Sequence, residues 1–539
     1  MATVAQKLAS TLKEMGVRYV FGVPSGNWID YMAAIEKTQG LNFILVTSES
    51  SCGFMADVCW RLTGRVAACF GTFGPGACNL STGVCGGFLD RAPMLAFTDE
   101  MSAAMRPRIT QMNIDNQALF RPITKWTTRI SPETVQQTLY QAMHVATAEV
   151  PGPVHVGLPA DGMALADATE SNVPRPAADR LPVPDEALIE KAIGLFKTAR
   201  RPLLAVGLTA TRMDAGTWIR KIVDKHRLPL VLTPMAKGML PEDHPCYTGV
   251  LAHACSDVVA RTHQQADLVI GIGFDPVELN YEDWMPDAPL IHLDTRKADL
   301  DGSTHTLACE LVGDMNPTLQ RLADLDPVEN LWDLKALAER RREMFAELAP
   351  QKDSFGPKAV LDILRQALPE DGVMTCDVGA HLHLIGQQWR TPAPDLQLMT
   401  NGCSSMGFAI PAAIAAKLSR PDQQACAVVG DGGFLMTVGE VATAMRLHLH
   451  IVFILITDNH LSLIRIKQAN KTYPYYETRL YGDWYASAKS FFGAPVLTAS
   501  NAGEYRRALD EAFEASGPVI VEALVDPDEY DGLLLRGNR

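Results

Sequence analysis

The residues best placed to do chemistry stand at Val428-Val429-Gly430-Asp431-Gly432-Gly433-Phe434, where an apolar run ends in glycines around one aspartate. Glycines let a backbone come close to an anion, and the helix expected from about Thr437 offers free N–H groups to a phosphate. An aspartate in such a turn can hold a divalent cation that neutralises the phosphate. Alone, the motif serves equally well as an ordinary strand-to-helix turn. The apolar run Ile451–Thr457 sharpens the choice, because it breaks at Asp458-Asn459-His460. If both runs are neighbouring parallel strands, their ends share the sheet edge where open α/β folds bind ligands. Asp431 and Asp458 then face one another, and two carboxylates, a backbone carbonyl, a diphosphate and water satisfy octahedral Mg²⁺. A third carboxylate, Glu49 in Thr47-Ser48-Glu49-Ser50, ends an apolar strand and precedes an apolar helix from about Cys52 to Trp60. By itself it reads as a surface glutamate at a helix start.

The elements that must position these groups repeat one pattern: a short β-branched run, a Gly- or Pro-rich turn, then a helical stretch. Strands are expected at Tyr19–Val23, Phe43–Val46, Val66–Phe70, Met94–Thr98 and Val154–Gly157 in a first unit. Val4, Leu8, Leu12 and Met15 recur at helical spacing before a Gly16 stop. A second unit carries Leu203–Val206, Leu228–Leu232, Leu268–Ile272 and Leu290–Leu293; a third carries Val373–Cys376, Ala425–Val429, Ile451–Thr457 and Val519–Leu524. The Pro-rich stretch Ala164–Asp185 reads as a linker, and a charged helix near Asp333–Leu348 leads into the third unit. Alternating strands and helices imply an α/β chain of three doubly wound parallel-sheet domains. Their expected spans are 1–163, 185–330 and 356–539. The first and third units could be distant copies of one design.

The 539 residues are 47% hydrophobic and 20% charged, a globular balance, and the net charge is −14. No Lys/Arg cluster offers a nucleic-acid face, and no apolar run approaches the roughly 20 residues of a membrane span. The 11 cysteines form no CxxC pair and five fall between Cys52 and Cys85, which suits free thiols in a reducing, cytoplasmic setting.

With these residues in view, the chain resembles the thiamine-diphosphate-dependent enzymes. Their signature is GDG followed, after a gap like the twenty-four residues Gly433–Ile456, by Asn-Asn, where this chain has Thr457-Asp458. Asp at that place is similar to the catabolic, flavin-independent acetolactate synthases. The resemblance implies that Asp431, Asp458 and the His460 carbonyl bind Mg²⁺, with Gly430, Gly432, Gly433 and Leu461 beside the cofactor. It implies that Glu49 hydrogen-bonds the pyrimidine N1′, favouring the imino tautomer whose 4′-nitrogen takes the thiazolium C2 proton. Gly71–Leu80 resembles the family's TSGPGATNL segment, which places Pro75 at the cofactor; no Gly-Lys-Ser/Thr follows, so an ATPase phosphate loop is excluded. Asp377-Val378-Gly379-Ala380-His381 resembles the DVGxH turn that touches the diphosphate. Asn401–Phe408 is similar to the segment whose bulky apolar residue bends the cofactor, making Met406 the wedge and the Ser404 carbonyl the partner of the 4′-amino group.

Gly271–Glu278 resembles the GYxPVEY stretch of catabolic acetolactate synthases and is no dinucleotide fingerprint, because Pro276 replaces the third glycine. Flavin adenine dinucleotide, which the biosynthetic relatives bind in this domain, is possible here but not expected. The implied substrate pocket gathers Ser25, Gly26, Phe73, Gln111, Met112, Leu463 and Ile464. Pyruvate-decarboxylase-like members carry a glutamate where this chain has Ile464, six residues past Asp458. Without that acid, the expected reaction is carboligation: a 2-oxo acid, pyruvate by resemblance, loses CO₂ and its acyl carbanion adds to a second carbonyl. Met112, at the position of a synthase glutamine unless Gln111 takes its role, and Phe73 leave open an alternative, a decarboxylase or lyase acting on a larger 2-oxo acid. Arg465 and Lys467 suit a substrate carboxylate or an exposed helix face equally. The resemblance also implies a homodimer as the minimal active unit, with Glu49 and Asp431 acting in different chains, and a homotetramer overall.

Overall fold

In the computed structural model, residues 2–160, 162–169, 173–279, 283–351 and 354–536 are described. Three sheets dominate. The first is six parallel strands in the spatial order Asn42–Leu45, Tyr19–Gly22, Ala67–Gly71, Met94–Glu100, Val154–Pro159, Trp126–Arg129. The third runs Gln397–Leu398, Val373–Cys376, Ala425–Gly430, Ile451–Thr457, Val519–Leu524, Ala494–Ala499, all parallel, with Ser490–Phe491 added antiparallel at the edge. Counted in chain order and without that short edge strand, both sheets read 2-1-3-4-6-5. The central sheet differs: Leu307–Val312, Leu290–Asp294, Leu268–Ile272, Pro202–Val206, Leu230–Leu232, Tyr247–Val250, which is 6-5-4-1-2-3. That is the strand order of dinucleotide-binding sheets.

Strands buried on both faces are where apolar runs predict best. All seven residues of Ile451–Thr457 are buried, and each fully buried Ile or Phe contributes roughly 1.5–3 kcal/mol. The expected first helix is Val4–Glu14, with Val4, Leu8 and Leu12 buried and Thr3 capping it reciprocally with Gln6. The strands Trp126–Arg129, Tyr247–Val250, Leu307–Val312, Gln397–Leu398 and Ala494–Ala499 had no counterpart in the sequence reading. All five lie at or next to a sheet edge; Trp126–Arg129, Leu307–Val312 and Ala494–Ala499 are partly exposed, and the other two are too short or too interrupted by Thr248 and Gly249 to give a continuous apolar run.

The glycine turn also differs from expectation. The helix begins at Asp431 rather than near Thr437, runs Asp431–Thr437, and is followed by Glu440–Arg446. Gly432 and Gly433 are in its first turn, where the need is space. A Cβ on Gly433 would lie 2.5 Å from Asp377 Oδ2, and one on Gly432 2.9 Å from Met406 Cε.

First and third domains pack on one another within the chain through the helices Ser50–Thr63 and Ala409–Ser419, where Phe54 meets Phe408 edge-on at 5.7 Å. Helix Ser50–Thr63 lies so close to Pro75–Leu89 that a Cβ on Gly53 would fall 2.0 Å from the Gly83 carbonyl carbon. Only glycine permits that approach.

Candidate active site

A cavity of about 220 Å³ opens at the carboxyl edge of the third sheet. Gly379, Ala380, His381, Ser404, Met406, Gly430, Asp431, Gly432, Gly433, Asp458, His460, Leu461, Leu463 and Ile464 all line it. Register explains this convergence: Gly430 pairs with Ile456, so the strand ends carrying Asp431 and Asp458 are adjacent. Three helices begin here, at Ala380, Asp431 and Ser462, and direct their unpaired N–H groups toward the cavity.

The two aspartates are buried and anchored by backbone. Gly432 N and Asn459 N donate to Asp431 at 2.9 and 2.8 Å; His460 N and Ser462 Oγ donate to Asp458 at 2.9 and 2.7 Å. Burial pushes both carboxyls above their usual range, and for Asp431 the charge of Asp458 adds to it. Two such carboxylates stay ionised together only beside a cation. His381 Nε2, buried in the wall, has no partner, and burial pushes its pKa down to about 4. A cation at the aspartates and an acceptor-rich diphosphate at the helix starts fit this donor set. Among the described residues no group of three or more His, Cys, Asp or Glu side chains could hold a metal unaided.

Asp90, which the sequence reading gave no role, and Asp377, which it placed only in the diphosphate-touching turn, hold the loop of Ser404 and Met406. Buried Asp377 accepts from Gly407 N at 2.8 Å and from Val378 N at 2.7 Å, while Asp90 accepts from Gly402 N at 2.8 Å. Burial lifts Asp377 to about 7 against those backbone donors. Ser404 has φ 51°, a left-handed turn, and its hydroxyl donates back to Asn401 O at 2.8 Å. Tyr530 also lines the cavity and had no sequence signal. Arg465 is neither an exposed residue nor in the cavity wall: it is buried and donates to Asp528 at 2.7 Å and Asp531 at 3.0 Å. Tertiary contact with the chain's last segment decides that.

Glu49 is not in this cavity. It is buried at the start of helix Ser50–Thr63, accepts from Asn79 Nδ2 at 3.1 Å and lies over the start of helix Pro75–Leu89. Its turn is fastened from the third domain: Thr47 N, Thr47 Oγ1 and Ser48 N donate to buried Glu440 Oε1 at 3.0, 2.8 and 3.1 Å. Pro75, the first residue of its helix, and half-buried Phe73 lie on the same turn. Met112, at φ 62°, packs where a Cβ on Gly74 would meet it at 3.1 Å, whereas Gln111 is exposed.

Ser25 is drawn in by Asp99, which sequence reasoning missed: Ser25 Oγ and Thr72 Oγ1 donate to Asp99 Oδ2 at 2.7 and 3.0 Å, with Gly26 exposed beside them. Burial lifts Asp99 to about 6, the two hydroxyls pulling the other way. The expected strand stopped at Thr98; the observed one runs to Glu100, and carboxylates at a strand's carboxyl end were the available signal. One chain thus holds two separate clusters: Ser25, Gly26, Glu49, Phe73, Pro75, Gln111 and Met112 do not line the cavity of Asp431 and Asp458.

With this geometry in place, comparison defines the class. The N-terminal TPP-binding domain of thiamine pyrophosphate enzymes matches residues 2–119, the central domain of those enzymes residues 189–322, and their C-terminal TPP-binding domain residues 377–523. The chain belongs to the thiamine pyrophosphate enzymes. Among similar proteins, the acetolactate synthase of Bacillus subtilis is 32% identical over 97% of this chain and 93% of its own length. The acetolactate synthase isozyme 1 large subunit of Escherichia coli is 27% identical over 98% and 94%. The catabolic acetolactate synthase of Raoultella terrigena is 28% identical over 97% and 95%. The chain is therefore an acetolactate-synthase-like enzyme dependent on thiamine diphosphate. No helix among the described residues is long and apolar enough to cross a membrane.

Proposed function

We propose that this enzyme decarboxylates a 2-oxo acid, pyruvate foremost, and joins the acyl unit to a second carbonyl, using thiamine diphosphate and Mg²⁺. The observation that carries the reading is the cavity wall. Among the described residues its only carboxylates are Asp431 and Asp458, and apolar Leu463 and Ile464 stand on the side where decarboxylase relatives carry an acid. Bound thiamine diphosphate supplies an electron sink for the carbon–carbon bond that breaks.

The chain's own residues do the rest. Asp431, Asp458 and the His460 carbonyl would hold Mg²⁺, while Gly379–His381, Gly430, Gly432, Gly433 and Leu461 would line the diphosphate place. Met406 would pack against the cofactor rings, and the Ser404 carbonyl, on its left-handed turn, would accept from the cofactor's amino group. Glu49 would face the pyrimidine N1′ as the acid–base group, with Pro75 beside it. Ser25, Gly26, Phe73, Gln111, Met112, Leu463 and Ile464 shape the substrate pocket. Ile464 offers no proton to the reacting carbon, so a carbonyl acceptor competes well.

Because the Glu49 cluster and the Asp431 cavity are separate within one chain, a homodimer bringing one chain's Glu49 to its partner's cavity is the proposed minimal unit, assembled as a cytoplasmic homotetramer. The position of Met112 against Gly74, with Gln111 exposed, favours one second reading: a decarboxylase or lyase for a larger 2-oxo acid. A panel of 2-oxo acids with products identified by mass spectrometry tests both. Pyruvate should give acetolactate; acetaldehyde alone, or turnover confined to longer acids, transfers the conclusion to the second reading.

A further inference from the structure

The central sheet has the order in which the strands Pro202–Val206 and Leu268–Ile272 diverge into a crevice for a dinucleotide. Its first turn, Gly207-Leu208-Thr209-Ala210-Thr211-Arg212, has Thr209 and Arg212 where the G-x-G-x-x-G fingerprint needs glycines. The crevice mouth is also shut by backbone. Thr209 N donates to Gly273 O at 3.0 Å, and a Cβ on Gly207 would stand 2.6 Å from that same oxygen.

The groups that could hold an anion there are already occupied. Buried Glu278 reaches over the crevice, accepting from Leu208 N at 3.1 Å and Thr233 Oγ1 at 2.6 Å through Oε2, and from Met235 N at 2.9 Å through Oε1. Its carbonyl accepts from Asn401 Nδ2 at 2.6 Å, fastening the turn to the third domain. Three residues before it, Asp275 receives Arg91 bidentately at 2.7 and 3.0 Å, fastening it to the first domain. Burial pushes the Glu278 carboxyl up to about 7, opposed by its three donors.

Next to the crevice lies a cavity of about 370 Å³ between the three domains, with four cationic side chains in its wall. Each already faces an internal carboxylate: Arg61 with Asp57, Arg91 with Asp275, Arg212 with Glu149 and Lys237 with Glu242. A diphosphate entering here would meet no unneutralised cation among the described residues and would have to displace Glu278.

We propose that the Glu278 carboxyl closes the central domain's dinucleotide crevice, so that this chain excludes flavin adenine dinucleotide and holds in that place a site specific for a carboxylate. Flavin does not fit the residues present, and the inference stands apart from the reaction proposed above. Two measurements test it. Unaltered holoenzyme incubated with flavin adenine dinucleotide and gel-filtered should carry no absorbance near 450 nm. Glu278→Ala leaves two buried donors and the half-buried Met235 N unpaired, so its Tm should fall by about 5 °C or more. At pH 8 acetate should restore that Tm saturably, and chloride at equal ionic strength should not. Stoichiometric flavin on the unaltered chain overturns the proposal without any variant, and acetate acting no differently from chloride on Glu278→Ala overturns it independently. Should that variant not fold in chloride, folding in acetate alone supports the proposal and failure in both overturns it.

Discussion

The first and third sheets share one strand order, yet their carboxyl edges handle acidic side chains in opposite ways. At the first edge every acid described has a local partner: Glu100 receives Arg129 and Gln117, Asp99 receives two hydroxyls, Glu49 receives Asn79. Behind them His155, fully buried, bonds Thr98 Oγ1 at 2.8 Å, and burial holds its pKa down to about 3, with Arg129 adding to the effect. At the third edge, Asp431 and Asp458 are supported by backbone N–H groups and one hydroxyl, with their charges left facing each other. The same scaffold therefore gives the acids of one edge side-chain partners and leaves the two carboxylates of the other facing each other, an arrangement that suits a cation. Fold alone does not assign chemistry; the residues after each strand do.

The contrast can be broken at three points, from the largest effect to the smallest. Glu49→Gln keeps the Asn79 contact and removes the proton-transferring acid, so turnover should fall about 10²–10⁴-fold while thiamine diphosphate is retained. Steady-state rates and cofactor content after gel filtration check this; unchanged turnover refutes the role of Glu49.

Asp458→Asn leaves one charge at the third edge. Cofactor retention should then require Mg²⁺ at concentrations at least 10–100-fold higher, the range seen when ligand support is lost. Chelator titration of both proteins is the measurement, and identical curves would make the third edge as self-sufficient as the first.

The smallest effect belongs to Asp99. Burial raises its pKa from the ordinary 3.8 to about 6, so the folded state prefers it protonated. It adds stability below the ordinary value that is lost as pH rises through about 6. Asp99→Asn should remove that part of the pH dependence and leave the variant relatively more stable above pH 6. Parallel Tm profiles for variant and unaltered chain between pH 4 and 7 would assign the slope to another group.

The sequence by itself determined the fold class, the buried strands and the metal-site candidates, because each is written in near neighbours along the chain. An apolar run names a strand buried on both faces, and a carboxylate at its end names a ligand-bearing edge. What holds the loops between these edges came only with tertiary structure. Glu440 meets Thr47 across 393 residues and Asp90 meets Gly402 across 312. Asp377, Asp99 and Glu278 gained their partners in the same way. Edge strands and the helix start at Asp431 were settled by packing too. A local pattern records which face is apolar, but a hydrogen bond between distant segments depends on where both arrive after folding.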